Sequence, residues 1–154
     1  FELVAKAVLM GYKIQRVEGI FSRYRLHKDS KSASDLPFAS EWALVLNTIF
    51  LSVNGGTHYA GILKELFNIQ QAAIEPYRCN VKFTKKELEE VFLEHLHLQY
   101  HVHYRAHDKR VCKKISDYLS ANHLLYYKSR HFARYDTRLI FFPRGILKLI
   151  RKYR

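Results

Sequence analysis

At 154 residues the chain is long enough for one domain or two very small ones, and 48% hydrophobic residues, with 11 Tyr and 10 Phe, supply a core and exclude a disordered tail. Only 6 Gly and 3 Pro argue against a loop-rich or collagen-like chain, and two cysteines, Cys79 and Cys112, are too few for a disulfide scaffold. The formal net charge of +12 is unevenly spread: residues 1–99 carry 12 Lys and Arg against 11 Asp and Glu, whereas residues 100–154 carry 14 against 3.

Taken in order, residues 1–16 predict a helix, because Leu3, Ala7, Met10 and Ile14 recur at helical spacing, with Gly11 weakening its interior. GIFSRYRL (19–26) reads as a strand and HKDSKSASD (27–35) as a flexible connection, with Pro37 barring a helix across it. Ser40 is the expected cap of an apolar core helix carrying Trp42, Val45, Leu46, Ile49, Phe50 and Val53 on a wide stripe. Its longest apolar run, WALVLNTIFLSV (42–53), is too short to span a bilayer. Asn54-Gly55-Gly56 stops it, and Thr57 is the expected cap of a second helix, so the two form a helical hairpin. No P-loop Lys-Ser/Thr pair and no GxGxxG accompany the glycines, so they are read as a plain turn. YRCNVKF (77–83) is a strand candidate. Thr84-Lys85-Lys86-Glu87 is a capping box that opens a helix with Leu88, Val91, Phe92 and Leu96 on one face.

HLHLQYHVHYR (95–105) alternates polar and apolar residues, which predicts a half-buried strand over at least 98–105. In such a strand His95, His97, Gln99, His101, His103 and Arg105 share one side. Four imidazoles on one face can bind a transition metal, but neither HExxH nor CxxC accompanies them. A face turned to nucleic acid or solvent is preferred, with contacts that strengthen as pH falls and histidine gains a proton. No metal, cofactor or catalytic residue is assigned.

Residues 109–121 form an amphipathic helix with Val111, Ile115, Tyr118 and Leu119 inward, Asp108 as N-cap and Asn122 as a left-handed stop. Lys109, Arg110, Lys113 and Lys114 lie mostly off the apolar face. LLYY (124–127) and RLIFF (138–142) are rich in strand-forming residues, and a charged loop, KSRHFARYDT, joins them. PRGILKLIRKYR (143–154) is a short basic amphipathic helix candidate that packs beside this hairpin rather than on a membrane.

The stretch 115–142 resembles the end of a winged helix-turn-helix domain, with recognition helix, strand, basic hairpin loop and second strand at 109–121, 124–129, 130–136 and 137–142. That resemblance implies that Lys109, Arg110, Lys113 and Lys114 line the major groove or its phosphates. It places Lys128, Arg130, His131, Arg134 and Arg138 in a wing that grips the backbone. His101, His103 and Arg105 are added as candidate nucleic-acid contacts from the histidine strand. The order of elements across 98–152 is also similar to a LAGLIDADG homing-endonuclease half domain, although the acidic, glycine-flanked motif of that family is missing.

The expectation is therefore an α+β, helix-rich protein, with a helical N-terminal region (1–76) and a winged-helix-like basic region (77–154), the alternative being a degenerate LAGLIDADG-like half domain. Its expected function is non-enzymatic nucleic-acid binding, DNA first, in replication initiation, transcription or a mobile element. RNA binding as a subunit of a ribosomal or CRISPR-like ribonucleoprotein, and a metal-dependent nuclease built on the His95–His103 strand, are the alternatives. Expected partners are DNA or RNA, and other protein subunits through the apolar N-terminal helices, with no membrane. An intracellular location, in cytoplasm, nucleoid or an organelle, goes with reduced cysteines.

Overall fold

The structure is a computed structural model that describes residues 2–13, 15, 36–70 and 75–141. Among them are seven helices and no strand: α1 Glu2–Leu9, α2 Leu36–Ser52, α3 Thr57–Phe67, α4 Lys85–Ala106, α5 Lys109–Asn122, α6 Leu124–Ser129 and α7 Phe132–Phe141. The expected strand at 19–26, the connection at 27–35 and the C-terminal helix at 143–154 lie outside the described residues. The chain divides into two compact units, Phe1–Leu93 and Glu94–Arg154.

In the first unit α2 and α3 form the expected hairpin. Phe50, Tyr59 and Phe92 make its aromatic core, with ring centroids 5.0 to 6.2 Å apart. Buried Asn47 donates from Nδ2 to the Ala60 carbonyl at 2.7 Å, so a polar group inside α2 is satisfied by the backbone of α3. Helix α2 begins at Leu36, before the expected Ser40 cap, and Pro37 stands in its first turn, where a missing N–H costs nothing. Gly56, not Thr57, is the N-cap of α3. Segment 77–83 is not a strand. Its polar groups go to helix ends instead: Tyr77 N–H donates to Ser52 Oγ at 2.6 Å, and Asn80 N–H to the Leu9 carbonyl at 2.7 Å.

The capping box at the head of α4 forms as read. Thr84 N–H donates to Glu87 Oε2 at 2.7 Å, and Glu87 N–H to Thr84 Oγ1 at 3.2 Å. The Thr84 N–H and, next, its hydroxyl donate to the Glu87 carboxyl and hold it below its ordinary range. The helix then runs straight through the stretch read as a strand, for 22 residues. Period-two alternation signals a strand only where one side is buried. Here Gln99, Tyr100, Val102 and Tyr104 are all buried, so α4 is enclosed on several sides and the alternation has no strand to describe.

Helix α4 ends at a residue that gives no glycine signal. His107 takes a left-handed φ of 62°, its N–H donates to the Tyr104 carbonyl, and Asp108 N–H donates to the His103 carbonyl. This is a Schellman closure with histidine in the glycine position. Asp108 then caps α5 as expected, accepting from Val111 N–H at 3.2 Å. A two-residue turn therefore joins α4 to α5 where an intervening strand was expected. The left-handed stop expected at Asn122 is absent: Asn122 is the last residue of α5, and His123 follows with φ −137°.

The expected wing strands at 124–129 and 137–142 are likewise helical in their described residues, as α6 and α7. Phe132, Tyr135, Asp136 and Leu139 follow at i, i+3, i+4 and i+7 and turn inward, which is a helical rather than a strand period.

Glycine in the α2–α3 turn is a steric requirement. A Cβ on Gly56 would stand 2.2 Å from the Phe50 carbonyl oxygen, whereas one on Gly61, inside α3, meets nothing within 4 Å. We expect Gly56→Ala to destabilise the first unit by about 1–3 kcal/mol and Gly61→Ala to stabilise it by about 0.5–1 kcal/mol, read by thermal unfolding followed by circular dichroism.

Candidate nucleic-acid interface

The second unit is built around a polar centre inside an aromatic shell. Asp136, half-buried on α7, accepts from the Tyr100 hydroxyl of α4 at 2.6 Å, the Tyr127 hydroxyl of α6 at 3.0 Å and the Ser116 hydroxyl of α5. One carboxylate thus ties four helices. Tyr100 packs edge-on against Phe132 at 4.7 Å, and Phe132 stacks with Tyr127 at 5.6 Å. Burial, and then the nearby Asp136 carboxylate, push the Tyr100 hydroxyl above its ordinary range, so it stays protonated and donating. Cys112, fully buried, has its thiol pushed up to about 12, chiefly by burial, and is unreactive.

This inward packing fixes which side of α5 meets solvent. Cys112, Ile115, Ser116 and Leu119 face the interior; Arg110, exposed, and Lys114, half-exposed, lie on the opposite face, while Lys109 and Lys113 are exposed on the flank beside Ser116. Lys113 is paired within that face to Asp117, at 2.7 Å. On α7 Arg134 and Arg138 stand one turn apart on the outer side, Arg134 exposed and Arg138 half-buried. Lys128, Arg130 and His131 lie exposed at the end of α6 and in the turn after it. Arg130 is engaged: it donates to Glu94 and lies over the Tyr126 ring at 5.4 Å. Lys109, Arg110, Lys128, Arg134 and Arg138 make no ion pair among the described residues.

A cleft of about 330 Å³ opens between α5 and α7, lined by Lys109, Lys113, Ser116, Asp117, Asp136 and Leu139. Sequence reading did not find it, because Asp136 and Ser116 carry no motif and lie 20 residues apart. The only available signal was the helical period of 132–139.

The four histidines do not share a single face, although His97 and His101, one turn apart, do. At about 100° per residue, His101 and His103 point to different sides of α4. His103 Nδ1 lies 3.0 Å from Asp108 Oδ2, and Arg105 is exposed. His97 and His101 meet at 2.9 Å through their Nε2 atoms, and His95 Nε2 lies 3.3 Å from the buried Gln99 amide nitrogen. Burial pushes the His95 imidazole down to about 4. Burial, and then Arg130, lower His97; burial, then His97 and Arg105, lower His101. A gain in binding at mildly acidic pH is therefore not expected from His97 or His101, which resist protonation. No group of three or more His, Cys, Asp or Glu placed to hold a metal occurs among the described residues. No helix among them is long and apolar enough to cross a membrane.

Comparison with protein-family models, with curated proteins and with solved structures yields no match to this chain.

Two predictions follow from this centre. Asp136→Ala leaves three hydroxyls short of an acceptor and is expected to cost about 3 kcal/mol or more in urea unfolding, whereas Tyr100→Phe, which removes one bond, costs about 1 kcal/mol. Because the folded pKa of His95 lies below its ordinary value of about 6.5, the unfolded chain binds more protons between the two values. Stability is thus full above about pH 6.5 and falls as pH drops toward 4, and His97 and His101 act in the same sense. A melting temperature unchanged from pH 7 to pH 5 would contradict this, and His95→Leu is expected to flatten the profile.

Proposed function

We propose that the protein binds nucleic acid through the outer faces of α5 and α7, mainly by neutralising backbone phosphates. The observation that carries this reading is the charge asymmetry: 14 Lys and Arg against 3 Asp and Glu in residues 100–154, beside a near-balanced remainder. An exposed surface without a polyanionic partner normally mixes signs. Lys109 and Arg110 on α5, with Arg134 and Arg138 on α7, have no acidic partner among the described residues and supply donors that phosphate oxygens can take up. Arg110, Arg134 and Arg138 can also read guanine bidentately, whereas no Asn or Gln stands on the outer part of α5 before its last residue. Weak sequence preference follows. A role in replication, transcription or a mobile element fits such binding, and so does a structural place in a ribonucleoprotein. A metal-dependent nuclease is not favoured, since His95 and His103 point away from the His97–His101 pair and no group of three or more metal-ligating side chains is placed together among the described residues.

The test is fluorescence anisotropy with duplex DNA and with duplex RNA across a salt series. We expect log K to fall linearly with log salt, with a slope of about −3 to −5, as four or five phosphate contacts release counterions. Lys109→Glu combined with Arg134→Glu should weaken binding at least about tenfold, while Lys64→Glu, an exposed lysine on α3, should not. A slope near zero for both duplexes would refute the proposal, and the tighter duplex identifies the ligand.

A further inference from the structure

We propose that His97 and His101 form a bidentate site for a divalent transition metal of the kind that accepts imidazole at right angles, nickel or copper(II) ahead of zinc. The two side chains stand one turn apart on α4, and their Nε2 atoms converge to 2.9 Å, with ring centroids 4.6 Å apart and planes inclined by 69°. Two imidazole nitrogens bound at about 2.0–2.1 Å to one ion lie about 2.9 Å apart when the angle between them is a right angle, and about 3.4 Å apart when it is tetrahedral. The observed separation matches neighbouring positions of a square-planar or octahedral ion. Tetrahedral zinc needs the rings to spread.

Without metal, one Nε2–H donates to the lone pair of the other ring. For both nitrogens to bind an ion, that proton moves to Nδ1 of its own ring, and the lone pairs turn from the line between them to a point beside it. Each imidazole remains neutral, and no proton is lost. Nδ1 of His97 lies 3.9 Å from Glu94 Oε2, so a carboxylate stands near the ligating ring, outside hydrogen-bond reach until the ring turns toward it. Aromatic walls limit how the rings can turn: Phe132 lies 5.6 Å from His97 and Tyr135 5.0 Å from His101, both edge-on. The His97 side chain is 22% exposed, which leaves an approach for the ion. Arg130 and Arg105 bring positive charge near the rings and oppose the ion. With two protein ligands and the remaining positions open to water, the site is exchangeable rather than structural.

The experiment is calorimetric titration of the full chain with nickel chloride at neutral pH, with electron paramagnetic resonance of the copper(II)-loaded protein alongside. We expect binding that is weakened about tenfold or more by His97→Gln or by His101→Gln and left unchanged by His123→Gln. The copper spectrum should carry coupling to two imidazole nitrogens. Binding no tighter than about 1 mM, binding that survives His97→Gln, or coupling to a single imidazole would overturn the site. If either Gln variant fails to fold, the copper spectrum of the unsubstituted chain decides alone.

Discussion

The second unit depends on one carboxylate. Asp136 receives hydroxyl hydrogen bonds from α4, α5 and α6 while standing on α7. A partly buried carboxylate is tolerated only when its lone pairs are occupied; here three neutral hydroxyl donors occupy them, and the Lys113 ammonium stands near enough to feel the charge. The consequence is directional. Because Ser116 must face Asp136, the interior side of α5 is fixed, and with it the side on which Lys109 and Arg110 emerge. Because Phe132 and Asp136 face inward, Arg134 and Arg138 are driven outward. The basic surface is thus the complement of the polar centre rather than a separate feature.

The same packing explains the histidines. Alternating polar and apolar residues on a helix leave polar groups on sides that are also buried. The chain satisfies them locally, one turn apart, through His95 with Gln99 and His97 with His101. Burial lowers the affinity of these rings for protons, so they are not expected to add phosphate binding as pH falls toward mildly acidic values.

Local signals in the sequence were legible where a few adjacent residues decide the outcome. Thr84 and Glu87 satisfy one another within a single turn, Asp108 caps α5, and the Asn54-Gly55-Gly56 turn sets the α2–α3 hairpin, all readable from spacing. The strands expected at 98–105, 124–129 and 137–142 are helical in their described residues, for a shared reason. Aromatic and branched residues prefer strands only as far as they fit a half-buried surface, and here they fill a helical core around Phe132. The helix end at His107 was hidden because a left-handed histidine carries no glycine signature. Asp136 was hidden because its three partners come from positions 100, 116 and 127, which no local spacing connects. The cationic residues of α5 were legible, since composition and helical period are enough to place them outward, whereas those of 128–138 were assigned to a wing and lie on and between helices.

The outer faces of α5 and α7 are proposed to receive nucleic acid. Side-chain and amide resonances followed by NMR during titration with a short DNA or RNA duplex test it most directly. The expected result is that shifts concentrate at Lys109, Arg110, Arg134 and Arg138 while the α2–α3 hairpin stays unchanged. Shifts confined to the hairpin, or none with either duplex, would contradict it.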